Sequence, residues 1–160
     1  MKDMLVRLMD LPDVTSDVER LRTTENIVFR KPIAAEKHIL VNWVTKAFSA
    51  NWGDEMDVAF NRIPVSCFIA QRNQDILGFA CFECSARNFF GPTGVLSSER
   101  GKGLGKVLLV KALDALKEMG YAYAIIGGVG PIEYYEKTVH AKVIEGSGKS
   151  IYENLLKRNT

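Results

Sequence analysis

Residues 100–106 read Arg100-Gly101-Lys102-Gly103-Leu104-Gly105-Lys106, three glycines and three cations directly ahead of an amphipathic segment. In the first turn of a helix the backbone N–H groups have no internal partners and carry the positive end of the helix dipole. Glycines let an anion approach those amides closely, and Arg100, Lys102 and Lys106 add fixed charge, so the segment reads as a phosphate or pyrophosphate site. The alternative is a basic helix cap that holds nothing. Two nucleotide-binding patterns fail here. A P-loop needs Ser or Thr after its Gly-Lys pair, yet Val107 follows Gly105-Lys106 and Arg100 stands where the first glycine belongs. Gly146-Ser147-Gly148-Lys149-Ser150 ends in the right triplet, but Val143 replaces its first glycine and only ten residues follow, so it reads as a hairpin turn. The glycines at 101, 103 and 105 are spaced G-x-G-x-G, not the G-x-G-x-x-G of dinucleotide folds.

Several other side chains could do chemistry. Glu83 sits in a mostly apolar run and is a candidate base; the alternative is a solvated or salt-bridged edge residue. Tyr134 and Tyr135 lie in a short helical segment. Cys81 and Cys84 form a C-x-x-C, but within a strand positions i and i+3 face opposite ways, so these thiols are expected to be small buried hydrophobes that neither pair nor share a metal. His38 and His140 read as surface or satisfied residues, and no metal site is expected.

The elements that position these groups follow from periodicity. Met4 to Leu8 is a plausible first strand, and residues 13–31 show no strong period and read as irregular. From Ile33 the spacing of Leu40, Val41, Val44, Ala47 and Phe48 predicts a helix. Asn51-Trp52-Gly53-Asp54 breaks it, with Asp54 capping a shorter helix that Pro64 ends. Val65–Arg72 and Asp75–Cys84, joined by Asn73-Gln74, predict an antiparallel hairpin. Phe89-Phe90-Gly91-Pro92 reads as a turn before a third run, Thr93–Leu96. Leu104–Met119 is an amphipathic helix stopped by Gly120, and Tyr121–Ile126 is a strand covered on both faces. A short helix at 131–138 follows, and Lys142–Ile144 with Ser150–Tyr152 form a closing pair. The order β-α-α-β-β-β-α-β-α-β-β describes an α+β, three-layer sandwich around one mixed sheet, a single domain over 1–160.

Composition sets the bounds. Of 160 residues 47% are hydrophobic and 25% charged, with a formal net charge of +2, which offers neither nucleic acid nor membrane a partner surface. No apolar run reaches the roughly 20 residues of a membrane helix, and Lys2, Asp3, Arg7 and Asp10 interrupt the start, so no signal peptide is expected. Three cysteines make no disulfide framework. A cytoplasmic protein is expected.

Arg100-Gly101-Lys102-Gly103-Leu104-Gly105 matches the acyl-CoA loop [QR]-x-x-G-x-[GA] of the GNAT superfamily of N-acetyltransferases. Val95, five residues upstream, stands where that family closes its fourth strand, although Ser97 replaces the usual Pro. The amphipathic helix, the apolar strand and Tyr134-Tyr135-Glu136-Lys137 follow in register, so the chain resembles the family over roughly 65–153. It departs where Gly128 replaces a frequent Asn, Pro131 a frequent Ala, and Val139-His140 a frequent Gly-Phe. The resemblance implies a mostly antiparallel sheet splayed between its fourth and fifth strands, and acetyl-CoA as cosubstrate with no metal. Its cofactor contacts would be Val95, Leu96, Arg100, Gly101, Lys102, Gly103, Leu104, Gly105 and Lys106. It implies direct attack by a primary amine on the thioester, with Tyr135 as the acid for the departing thiolate, while Glu83, singled out by its place in an apolar strand, is the candidate base. Tyr134, by register, should face the core. Asp54 and Glu55 lie where the family's acceptor site often closes, and Trp43, Phe48 and Trp52 either line that site or belong to the core. The acceptor, a small-molecule or peptide amine, stays open among antibiotic amine, polyamine, amino acid, peptide N-terminus and lysine, and a homodimer is allowed. The competing reading is an acyl-CoA sensor without catalysis.

Overall fold

The computed structural model describes residues 1–159. In chain order the elements are β1 (Lys2–Arg7), α1 (Thr15–Glu25), β2 (Ile27–Arg30), α2 (Lys37–Ala47), α3 (Ala50–Ala59), β3 (Cys67–Arg72), β4 (Asp75–Phe82), β5 (Phe89–Val95), α4 (Leu104–Glu118), β6 (Tyr123–Val129), α5 (Ile132–Val139) and β7 (Lys142–Val143). The strands form one seven-stranded sheet in the order β2-β3-β4-β5-β6-β1-β7. Every neighbouring pair is antiparallel except β5 and β6.

The alternation of β3 and β4 divides the core into two layers. Ala70, Ala80 and Phe82 face α4, whose Leu104, Leu108, Leu113 and Leu116 are fully buried together with Leu21 of α1. Cys67, Ile69, Phe79 and Cys81 face the other way, against Leu40 and Val44 of α2 and Met56 and Ala59 of α3. Each fully buried leucine contributes about 1.5–3 kcal/mol, which is why the leucine-rich α4 makes the central helix. The mixed sheet between two helical layers agrees with the expected fold class.

Local readings fail where tertiary contacts supply what the sequence lacks. Residues 13–31 form α1 and β2: α1 buries only Leu21, so it shows almost no apolar stripe, and β2 is a four-residue edge strand paired with β3. Asn51 to Asp54 does not break a helix but lies inside α3, whose cap is the Ser49 hydroxyl accepting from Trp52 N at 3.2 Å. Phe89–Pro92 is part of β5, because Phe90 pairs with Phe82 across the ladder. Ser150–Tyr152 is a turn, and the partner of β7 is β1.

Cys81 and Cys84 share one face, contrary to the strand argument. The strand stops at Phe82 and Glu83 takes a left-handed backbone (φ 60°), so alternation ends one residue too early for that reading. Cys67, Cys81 and Cys84 all lie buried as free thiols in the layer under α2 and α3. Burial, with the neighbouring thiols of Cys67 and Cys84, pushes the Cys81 thiol well above its ordinary range. Among the described residues no group of three His, Cys, Asp or Glu is arranged to hold a metal, and no helix is long and apolar enough to cross a membrane.

Helices α2 and α3 meet at Gly53, where an added Cβ would lie 1.9 Å from the Thr45 hydroxyl, itself held by Val41 O at 2.7 Å. Gly53→Ala should therefore lower the melting temperature, because overpacking of about 1–3 kcal/mol outweighs a helix-propensity gain of about 1 kcal/mol. Thr45→Ala removes the obstruction, so the double variant should regain wild-type stability or exceed it. Additive losses in the thermal melts would contradict this.

Candidate active site

Helix α4 starts at a glycine because its entry bends the chain through positive φ: Gly101 at 80° and Gly103, the capping residue, at 100°. No side chain caps the helix. Among the described residues none accepts a hydrogen bond from the amides of residues 101–106; the first amide of this turn to be satisfied is Val107 N, which donates to Gly103 O at 3.3 Å. A Cβ on Gly105 would meet the Tyr134 hydroxyl at 3.4 Å and Val95 Cγ2 at 3.9 Å, so this glycine keeps open a small space between α4, β5 and α5.

The cations predicted to surround a ligand are mostly engaged elsewhere. Lys102 Nζ donates to Glu99 at 2.9 Å and Glu25 at 3.2 Å, and Arg72 joins the same two carboxylates at 2.8 and 3.0 Å. Lys106 Nζ bonds Asp17 of α1 at 3.3 Å, and Arg20 donates to Lys102 O at 3.0 Å. Arg100 Nε donates to Val95 O at 3.3 Å, while Leu96 N–H is taken up by Leu77 O of β4 at 2.9 Å. Helix α1, unseen in the sequence, thus brackets the loop, and the groups left without partners among the described residues are the main-chain amides.

β5 and β6 pair only at Phe89↔Ile125 and Phe90↔Ile126. Beyond them β5 stays with β4 as far as Val95, and β6 stays with β1 as far as Val129, so the sheet opens into a wedge. Gly128, which replaces the family's Asn, has its amide held at 2.8 Å by the carboxylate of Asp3, a buried residue of β1. Asp3 N in turn bonds the Ser147 hydroxyl at 2.9 Å. β1 is thereby the outer wall of the wedge, a role its short apolar sequence did not announce.

A cavity of about 860 Å³ fills the wedge on the side of α3. Tyr135 forms part of its wall with Phe90, their ring centroids 6.4 Å apart, and is 7% exposed. None of the described residues hydrogen-bonds its hydroxyl, and burial pushes the phenol up to about 12. Tyr134, expected in the core, is instead 38% exposed and reaches Gly105. The reason is the apolar pair Tyr135 and Val139, one turn apart, which turns inward and sends Tyr134 about 100° away.

Glu83 does not face this cavity. It is buried, accepts from Asn88 N at 2.7 Å and from the Tyr121 hydroxyl at 2.7 Å, and so closes the turn between β4 and β5. Two carboxylates of α3 stand in the wall, Asp54 and Glu55; Glu55 is bonded by the Ser85 hydroxyl and raised above its ordinary value by burial. Trp52 also lines the cavity, whereas Phe48 and Phe79 pack on it from behind and Trp43 packs on those two. The C-terminal segment completes the enclosure: Tyr152 packs over Gly127 and stands beside Ser85 and Glu55, Leu155 adds an apolar wall, and Arg158 bonds Asn51 and Asp54. Only the polar pattern of Ser85 and Tyr152 could have signalled this, and it is too sparse to read.

The Glu99 carboxylate, bonded by Arg72 and Lys102, is held from its ordinary 4.5 down to about 2. Its stabilising contribution is complete above about 4.5 and is lost as pH falls through about 2, since the unfolded chain takes up the proton first. Denaturant unfolding between those limits should therefore show stability rising with pH, and Glu99→Gln should flatten that slope. An identical slope in the variant would contradict the assignment.

The sequence over residues 37–139 matches the family model of the acetyltransferase (GNAT) family. No curated protein sequence matches the chain. Among solved structures, the GCN5-related glucosamine N-acetyltransferase region of a fungal multi-domain GH3 β-N-acetylglucosaminidase has 16% identity and a TM-score of 0.71, covering 89% of this chain and 19% of that one. A GCN5-related N-acetyltransferase from Sphaerobacter thermophilus has 16% identity and a TM-score of 0.66, covering 89% and 48%. A GNAT family acetyltransferase from Brucella melitensis, in complex with acetyl-CoA, has 18% identity and a TM-score of 0.54, covering 74% and 86%. The chain spans less than half the length of the first two, and at these identities the likeness is one of fold. The family match extends over more than half of the 160 residues, together with the open sheet and the bare amides of α4, and the chain belongs to the acetyltransferase (GNAT) family.

Proposed function

We propose that the chain is a cytoplasmic, acetyl-CoA-dependent N-acetyltransferase, acting as one GNAT-like domain on a primary amine. The observation that carries this reading is the coincidence of two openings. The unpartnered amides of 101–106 face outward at Val95, and the wedge beside them leads into the cavity where the Tyr135 hydroxyl is free of described partners. The residues fit the cosubstrate: amides at a helix N-terminus suit a pyrophosphate, and the space kept at Gly105 lets it approach. When bound, acetyl-CoA supplies an activated acyl thioester.

The protein's residues then have three tasks. The amides of Leu104, Gly105 and Lys106 bind the phosphates, and their alignment in one helix turn needs no lysine, which suits the pairing of Lys102 and Lys106 with carboxylates. The parted edges of β5 and β6 orient the acyl group toward the cavity, where the amine nitrogen forms the new C–N bond as the C–S bond breaks. The acceptor ammonium loses one proton to solvent before attack, which frees the nitrogen lone pair. Tyr135 gives its phenolic proton to the departing sulfur, and the second proton shed by the nitrogen restores the phenol. A phenol near 12 is fully protonated at neutral pH, so the acid is always loaded.

Gly105→Asp should abolish the thermal shift caused by acetyl-CoA while the protein stays folded, since its Cβ has room and the carboxylate opposes the phosphates. Tyr135→Phe removes only the hydroxyl. Acetyl-CoA affinity should persist and turnover with the best amine should fall by about 10²–10⁴-fold, in kcat and kcat/KM together. Wild-type turnover in Tyr135→Phe would remove it as the acid. A wild type that binds acetyl-CoA and acetylates no amine would make the domain a sensor.

A further inference from the structure

The cavity wall also bears on which amine enters, an inference that rests on the N-acetyltransfer reading. No Lys, Arg or His side chain lines it among the described residues. Of its two carboxylates, Asp54 is paired with Arg158, which also donates to Asn51 at 2.7 Å. Glu55 has no cationic partner: its described contact is the Ser85 hydroxyl, with the phenol of Tyr152 alongside. A half-buried carboxylate without a counter-ion attracts a cation and repels a second anion. Trp52, Phe90, Pro92, Ile126 and Leu155 give the wall a large apolar area. At about 860 Å³ the space is within the roughly 300–1,000 Å³ of a small-molecule site.

We propose that the acceptor is a small primary amine with an apolar or aromatic body and no carboxylate or phosphate, its ammonium held by Glu55 and Ser85. An amino acid would bring a second carboxylate beside Glu55, and no Lys, Arg or His side chain in the described wall receives it. A polyamine would bring a second ammonium to a wall whose other carboxylate, Asp54, is already paired with Arg158. The acceptor is thus of the arylalkylamine kind, and Glu55 is its specificity determinant.

Phenethylamine and L-phenylalanine share a ring and an amine and differ by one carboxylate, so they isolate this choice. With purified protein and saturating acetyl-CoA, kcat/KM for phenethylamine should exceed that for L-phenylalanine by at least about 100-fold, and exceed that for spermidine by about tenfold. Binding is measured separately by calorimetry with CoA present. There phenethylamine should bind more tightly than its neutral counterpart 2-phenylethanol, and Glu55→Gln, with CoA affinity unchanged, should erase that difference. A variant that merely loosened the fold would weaken both ligands equally. If L-phenylalanine or spermidine is the better substrate, or if only a quite different amine such as a peptide or an aminoglycoside is acetylated, the inference is overturned while N-acetyltransfer stands. If no amine is acetylated, N-acetyltransfer fails, and the inference with it. Equal binding of the amine and the alcohol by the wild type would remove Glu55 as the determinant.

Discussion

The rest of the site depends on the parting of β5 from β6 after two residue pairs. A sheet that separates leaves main-chain donors and acceptors without partners, and buried groups of that kind cost free energy unless something satisfies them. Here the two edges are treated differently. On the β6 side the Asp3 carboxylate takes the Gly128 amide. On the β5 side Arg100 covers the Val95 carbonyl, and β4 retains Leu96. Between them stay the groups that a ligand with an amide-rich arm could bond. The wedge is held open by residues of opposite charge from two distant parts of the chain.

Charge and main chain divide the work around the glycine loop. The sequence suggests a basic cradle, yet the lysines turn to Asp17, Glu25 and Glu99 and fasten the loop to α1 and β3. What they stabilise is the geometry of Gly101 and Gly103, whose positive φ aims the first helical amides outward. An oriented row of N–H groups loses little to reorganisation when an anion arrives, whereas a flexible lysine must be ordered first. Fixing the loop with ion pairs and leaving recognition to the backbone is consistent with that difference.

The long elements were legible in the sequence because one period governs each. Leu104 to Glu118 follows from its leucine spacing, and the β3–β4 hairpin from two β-rich runs around Asn73-Gln74. For the candidate site, Tyr135, named through the family resemblance, lies in the cavity wall, and the place of the glycine loop at the start of α4 was legible. Three features were not. Helix α1 buries one residue and so has no stripe. Glu83 looked available only because a left-handed residue at the end of a strand leaves no mark on composition. Tyr152 and Arg158 reach the cavity from a turn-rich tail, and no local pattern encodes where such a tail will lie. Tyr152 and Arg158 share a cause: their positions are set by partners far along the chain.

That distance has a kinetic side at β1. Lys2 pairs with Val129 and Met4 with both Ile126 and Val143, so the strand joins residues at nearly opposite ends of the chain. The β3-to-β5 part of the sheet, by contrast, is built from neighbours in sequence and can assemble on α4 early. Closing so long a loop is entropically slow, and its reward comes only when β6 and β7 are in place. In the order of folding, the outer wall of the wedge therefore forms last, and with it the Asp3 contact that shapes the site. Until that strand docks, the chain carries a nearly complete core and an exposed apolar edge at β6, the state in which a folding molecule of this kind is most prone to associate with another.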